Sequence, residues 1–291
     1  MIHNIQIAIL GLVLGGVYAL MASGLTLIFG VMGIVNLGHA SFMVMAAFIS
    51  FFAFKGLGLD PILSIVITMP AMFLVGVIVY RILFAHAIAD PHKRAVTVLV
   101  TFALALVVEG MLGYLFSNIY RSTNPSYASE AILFGPFYIP EGQFYAMLLS
   151  MVILIGLWAF LQYTRTGYAI RATTHNRTAA EVVGVNVDRI SMLVFGIGMA
   201  LAGASGSLLS YLFSFYPSKH WEWVAILLSL VVLGGMGSLL GALIGALVLS
   251  VIAAFVSSSF GPTWSPVTFY LALFVILLVR PQGLLGKRSE L

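Results

Sequence analysis

The chain has 291 residues, of which 62% are hydrophobic and only 8% are charged. Because a soluble domain is about one quarter charged, a water-soluble globular fold is excluded. The absence of cysteine excludes thiol catalysis and cysteine-ligated zinc or iron–sulfur sites. The net charge of +4 belongs to a membrane chain, so we expect the basic residues to set its orientation and not to bind nucleic acid.

Eight apolar runs reach the ~20 residues that a transmembrane helix needs. In chain order they lie at about 5–29, 36–54, 61–84, 95–117, 144–163, 190–214, 223–257 and 264–280. The seventh run is too long for one span and contains the glycine-rich stretch 233–238, so we interpret it as two short helices. The predicted fold is an all-α integral membrane protein, one domain over residues 1–291, with eight or nine transmembrane helices and Gly-rich broken or re-entrant segments.

Basic residues are distributed unevenly between the predicted loops. Three of the 13 lie in one set of alternate loops: Lys55, Arg121 and Lys219. The others flank the third, fifth and last spans: Arg81, Lys93, Arg94, Arg165, Arg171, Arg177, Arg189, Arg280, Lys287 and Arg288. The positive-inside rule places this larger set, and with it the C-terminus, in the cytoplasm. The N-terminus carries no informative charge.

Two segments interrupt the apolar helices near opposite ends of the chain, at 30–41 and 234–238. Irregular backbone at membrane depth lines a cavity or is buried in protein, and paired interruptions are typical of a transport site. An acid inside a span is also rare and tends to be functional. The candidate translocation residues are therefore Asn36, Gly38, His39, Glu109, Gly234, Gly235 and Gly237.

Each candidate also has a structural explanation. Glycines that recur every four residues, as in Gly237, Gly241 and Gly245, allow two helices to approach closely. Asn36 and His39 could form a buried hydrogen-bonded pair. Glu109 is either a proton or amine site, or a hydrogen-bonded packing residue.

The polar segment 164–189 carries too many charges to span a membrane. Thr178 precedes Glu181 by three residues, the spacing of a capping box, and Gly184 can end the short helix that follows. We expect a cytoplasmic helix that is either a connector or a docking element. No nucleotide-binding or hydrolase motif occurs, and His86 and His92 lack a third ligand, so we predict no enzyme activity, metal or cofactor.

Several stretches resemble the permease subunits of branched-chain amino acid ABC transporters, the LivH-type family. They run in family order and comprise residues 16–20, 24–30, 33–39, 166–172, 179–180, 184–186, Arg189, 232–238, Gly241 and 280–286. One departure is His175-Asn176, where the family often has an acidic residue. The family includes urea and short-chain amide importers, which remain an alternative substrate class.

The resemblance implies a multi-pass protein of the prokaryotic plasma (inner) membrane. It implies a second, LivM-like permease subunit, two ATP-binding subunits and an extracytoplasmic substrate-binding protein, which we expect to meet loops 118–143 and 215–222. It also implies that the connector docks on an ATPase, with candidate coupling residues Gly167, Arg171, Thr178, Ala179, Ala180, Glu181 and Gly184. A rival from another class is a proton-coupled secondary transporter that uses Glu109 and His39.

Overall fold

The structure is a computed structural model that describes residues 1–84, 94–280 and 282–284. Some residues used in the sequence interpretation lie outside the described residues: His86, His92, Lys93, Pro281, Leu285, Gly286, Lys287 and Arg288.

Helices dominate the described residues, as predicted for an all-α membrane protein. They are α1 (Ile2–Met32), α2 (His39–Leu57), α3 (Ile65–Val79, extended by a π-helical turn Tyr80–Phe84), α4 (Arg94–Phe116), α5 (Glu141–Tyr163), α6 (Arg165–His175), α7 (Arg177–Val182), α8 (Val187–Leu212), α9 (His220–Gly234), α10 (Leu239–Phe260) and α11 (Ser265–Val279). Eight segments are long and apolar enough to cross a membrane, and each predicted run coincides with one of them. The seventh run is broken as predicted, because α9 ends at Gly234 and α10 begins at Leu239.

The short helix α9 explains why the span count was ambiguous. Its 15 residues rise about 22 Å, less than the ~30 Å of a hydrocarbon core. It still runs between the two faces of the bundle.

The centre of the bundle is built from α1, α8 and α10. α8 packs on α1, α2 and α3, while α1 also packs along α10. Glycines make these contacts close: a Cβ on Gly11 would lie 2.7 Å from Cα of Val251 in α10. Gly11 thus has a packing role, and α4, α5 and α11 surround this centre.

One face of the bundle, which we call the hairpin face, carries an antiparallel hairpin of β1 (Ala131–Phe134) and β2 (Phe137–Pro140). The side chain of Gln6 exchanges two hydrogen bonds with the backbone of Tyr138, at 2.6 and 3.1 Å. The start of α1 therefore lies on the hairpin face. The loops after α4 and α8 also meet there, where Arg121 and Phe215 exchange backbone hydrogen bonds of 2.8 and 2.9 Å.

The opposite face, which we call the connector face, holds α6, α7 and the turn between α9 and α10. A Cβ on Gly30, near the end of α1, would lie 3.3 Å from Gly237 and 3.6 Å from the Thr174 side chain. The backbone N–H of Leu284 donates to the carbonyl of Leu233 at 2.8 Å. The described end of the chain is thus tied to the connector face.

A buried network of hydroxyl groups joins α2, α8 and the start of α3 near the hairpin face. Ser50 lies 2.7 Å from Ser64 and 3.2 Å from Ser210, oxygen to oxygen. Ser207 lies 2.8 Å from Thr68 and accepts from Ser64 at 3.2 Å. All five side chains are fully buried, so the network satisfies polar groups that would otherwise be costly at this depth.

Candidate translocation and coupling sites

The first interruption, between α1 and α2, folds into a buried loop. The Asn36 side-chain oxygen accepts the N–H of Gly38 at 3.1 Å, which sets the turn into α2. Thr101 of α4 holds the outside of the loop, since its hydroxyl accepts from Leu37 at 3.2 Å, donates to the Val98 carbonyl at 2.8 Å and lies 3.3 Å from the Val35 carbonyl oxygen. Thr101 has a positioning role that the sequence interpretation missed, because a threonine in an apolar span gives no local signal.

His39 begins α2 and is buried between α1 and α8. A Cβ on Gly24 of α1 would lie 2.7 Å from Cε1 of the ring and 2.6 Å from the carbonyl oxygen of Gly198. Neither ring nitrogen of His39, nor the Asn36 side-chain nitrogen, has a hydrogen-bond partner among the described residues. The two side chains therefore do not pair with each other.

The second interruption is a tight turn between α9 and α10. Gly235 and Gly237 have φ values of 97° and 88°, which L-residues with a side chain rarely adopt. Gly234 packs directly on the backbone of Gly241, so a Cβ there would overlap α10. These three candidate residues shape a closely packed turn on the connector face, next to Gly30.

Glu109 lies elsewhere, on the hairpin side of α4. Its carboxylate accepts the indole N–H of Trp221 at 3.0 Å and lies 3.9 Å from Nε2 of His220. Eight residues of α4 separate it from Thr101, a rise of about 12 Å. The candidate translocation residues thus fall at two depths, and the structure does not bring Glu109 and His39 together.

The connector begins with α6, which folds back at the end of α5. Thr164 caps it by accepting the N–H of Gly167 at 3.0 Å. A Cβ on Gly167 would overlap the carbonyl of Phe160, so glycine is needed for this close return. Arg171 is held within the chain, where it donates to the Gln162 side chain at 2.8 Å and stacks 4.8 Å from the Tyr168 ring.

The predicted capping box at Thr178 is wrong. The N-cap of α7 is Asn176, whose side-chain oxygen accepts the N–H of Ala179 at 2.9 Å. Asparagine is among the best N-cap residues, and at this position it starts the helix two residues earlier, which leaves Thr178 inside the first turn. Glu181 then lies one turn after Arg177 and pairs with it at 3.4 Å.

α7 presents an apolar surface to solvent on the connector face. Ala180 is buried against the protein, while the side chains of Val182 and Val183 are 82% and 77% exposed. Gly184 ends the segment with φ of 89°, in the left-handed region as predicted for a C-terminal glycine. The exposed valines were not foreseen, because which side of a single-turn helix faces inward depends on where the helix starts.

The segment that follows α7 is held in place by hydrogen bonds. Asn186 caps α8 by accepting the N–H of Arg189 at 2.9 Å, and the Tyr80 hydroxyl donates to Asp188 at 2.7 Å. The π-helical end of α3 therefore holds the start of α8. A short segment held by these hydrogen bonds thus joins α7 to α8, at the centre of the bundle.

The model of the family described as "Branched-chain amino acid transport system / permease component" matches residues 7–279. The chain belongs to this family. The permease is accordingly a multi-pass membrane protein, and its relatives are transport subunits and not enzymes.

Relatives match over nearly the whole permease. The high-affinity branched-chain amino acid transport permease BraD of Pseudomonas aeruginosa is 28% identical over 98% of this chain and 96% of its own. LivH of Escherichia coli K12 is 26% identical over 95% and 94%. The ribose import permease RbsC of E. coli K12 matches more narrowly, at 26% identity over 49% of this chain and 44% of its own.

A solved structure shares the fold. The complex titled "PsaBC from Streptococcus pneumoniae in complex with Fab" contains a chain that aligns with 94% of the permease and 91% of itself, with a TM-score of 0.51. The sequence identity is 16%, so this likeness supports the helix arrangement alone.

Proposed function

We propose that this permease is the translocation subunit of an ATP-driven importer for branched-chain or related amino acids in a prokaryotic plasma (inner) membrane. In this assembly it pairs with a second permease subunit, two ATP-binding subunits and an extracytoplasmic substrate-binding protein. Membership of the family and relatives named for branched-chain amino acid transport support the substrate class.

The distribution of charge supports an orientation. Arg165, Arg171, Arg177 and Arg189 lie in or beside the segments of the connector face, whereas the hairpin face carries Arg121 and Lys219. By the positive-inside rule the connector face is cytoplasmic, and with it the C-terminus. The hairpin face then meets the substrate-binding protein.

The observation that carries the coupling proposal is the exposed apolar tip of α7 on the connector face. Two adjacent valines that are about four-fifths exposed offer an apolar contact to a partner subunit. Val182 and Val183 would enter a cleft of an ATP-binding subunit. Motion of that subunit would then pass through Asn186 and Asp188 into α8.

The connector proposal is tested in the complete transporter reconstituted in proteoliposomes. We expect Val182→Asp and Val183→Asp to lower ATP-driven amino acid uptake by about tenfold or more, because a buried contact residue of an interface is replaced by a charge. Val182→Ile, which keeps the surface apolar, serves as the control. If the aspartate variants take up solute normally and co-purify normally with the ATP-binding subunits, α7 is not the docking element.

The requirement for the ATP-binding subunits is tested on the permease alone. The proposed function predicts that the purified chain does not accumulate leucine in liposomes under a pH gradient. The structure also separates Glu109 from His39, the two residues that the proton-coupled alternative would use together. Accumulation of leucine by the lone chain would overturn the proposed function.

A further inference from the structure

Glu109 belongs to a polar cluster at the start of α9, on the hairpin side of the membrane. One carboxylate oxygen, Oε2, accepts the indole N–H of Trp221 at 3.0 Å and lies 3.9 Å from Nε2 of His220. The carboxylate is 21% exposed, whereas the His220 side chain is fully buried. The cluster is thus open at the acid and closed behind the imidazole.

The hydrogen bond on the other side of the His220 ring determines whether Nε2 donates or accepts a hydrogen bond. Nδ1 lies 2.9 Å from the carbonyl oxygen of Pro217, and a carbonyl only accepts, so Nδ1 carries the proton. In the neutral imidazole, Nε2 is then an acceptor. It has no hydrogen-bond partner among the residues that the structure describes.

Two acceptors therefore face each other across 3.9 Å, the Glu109 carboxylate oxygen and the His220 nitrogen. A group that lies beside both atoms and donates a hydrogen bond to each of them would satisfy this pair. The negative charge favours a cation. The Trp221 ring, whose N–H bonds the carboxylate, is tilted against the Phe102 ring with centroids 5.4 Å apart, and aromatic rings attract cations. The nearby acid Glu222 is already paired with Lys219.

We propose that Glu109 and His220 form a site for the primary ammonium group of the transported solute. The inference rests on the proposed function and narrows its substrate class. A zwitterionic amino acid brings three N–H donors and a positive charge, so it bonds to both acceptors and neutralises the acid. Urea and short amides bring N–H donors without charge, and their hydrogen bonds to the carboxylate are accordingly weaker.

The location of the site on the hairpin side suits transient binding of the solute. The first turn of α9 lies on the hairpin side, where a solute released by the binding protein would enter. The attraction between a carboxylate and an ammonium group is stronger at reduced dielectric than in water, and the acceptor Nε2 of His220 adds a second contact. Asn36 and His39 lie at a different depth, so they would contact the solute at a later stage of transport.

The test is isotope-edited infrared difference spectroscopy on the full-length permease in nanodiscs, which reads the carboxylate itself and needs no transport. The probes are leucine, isoamylamine (leucine without its carboxylate), 4-methylpentanoate (leucine without its ammonium group) and urea. We expect leucine and isoamylamine to shift a carboxylate band that is absent in Glu109→Gln, and 4-methylpentanoate and urea to leave it unchanged. A shift with every probe, or with none, overturns the proposal, as does a band that responds to pH alone.

Variants separate a binding role from a folding role. His220→Asn keeps a donor for the Pro217 carbonyl and removes Nε2, so we expect correct insertion with about tenfold weaker binding of isoamylamine. Tyr114→Phe, at an exposed position of α4, is the matched control and should bind normally. Normal binding by both Glu109→Gln and His220→Asn contradicts the site. Because these readouts need no ATPase, their failure is distinguishable from failure of the coupling proposal.

Discussion

Gly24 of α1 faces His39 of α2 so closely that a Cβ built on the glycine would lie 2.7 Å from Cε1 of the ring. The carbonyl oxygen of Gly198 in α8 would lie at 2.6 Å from the same Cβ. Three helices thus meet at one point, and the imidazole fills the space that the missing side chain leaves. The position of His39 depends on a residue that carries no chemistry of its own.

This relationship predicts the effect of one methyl group. We expect Gly24→Ala to destabilise the folded permease by about 1–3 kcal/mol, because the ring or α8 must move, and to lower uptake. Gly56→Ala, in the last turn of α2 where a Cβ would meet nothing within 4 Å, is the control. Unfolding in mixed micelles measures both, and equal stability of the two variants would contradict the packing argument.

The corrected cap of α7 gives a second prediction. Asn176→Ala should destabilise α7 by about 1 kcal/mol, because the N–H of Ala179 loses its acceptor. Thr178→Ala should change the stability of α7 by less than the cap mutation, since Thr178 is an exposed residue inside the first turn. Hydrogen exchange of the α7 amides reports both effects. Faster exchange in Thr178→Ala than in Asn176→Ala would restore the capping box.

The buried hydroxyl network predicts modest and local losses of stability. Ser207→Ala removes the partner of Thr68 and Ser64, and hydrogen bonds between membrane helices are worth about 0.6 kcal/mol on average. We therefore expect a small but measurable drop in the free energy of unfolding. Ser259→Ala, at an exposed position, is the control. A double variant of Ser207 and Thr68 that loses no more than Ser207→Ala alone would show that the two hydroxyls act as a pair.

Tyr127, in the turn before the hairpin, predicts a dependence on alkaline pH. Its hydroxyl donates to Asp60 at 2.9 Å, and burial, with this bond, raises the pKa of Tyr127 above its ordinary value. Its contribution to stability is therefore complete below about pH 10 and is lost as the pH rises further. The difference in unfolding free energy between the natural chain and Tyr127→Phe should shrink above that pH. A difference in unfolding free energy that stays constant above that pH would contradict the role of the Tyr127 hydroxyl.

Much of the architecture follows from the sequence because apolar runs of membrane length have few alternatives. The broken seventh run was also predictable, since Gly235 and Gly237 adopt backbone angles that only glycine adopts readily. The relation between Glu109 and His220 could not be predicted from the sequence. These residues are 111 positions apart, and only the packing of α4 on the segment before α9 brings them together. The start of α7 was missed for a local reason, since two good capping candidates, Asn176 and Thr178, lie two residues apart.

The contacts of α1 have a consequence for biogenesis. This helix leaves the ribosome before α10, because the α10 surface that receives Gly11 is synthesised more than 200 residues later. During that interval its glycine-lined side has no protein neighbour and must be covered by lipid or by the insertion machinery. The contact between α1 and α10 therefore forms late, and a nascent chain that stops before α10 leaves α1 without its main partner.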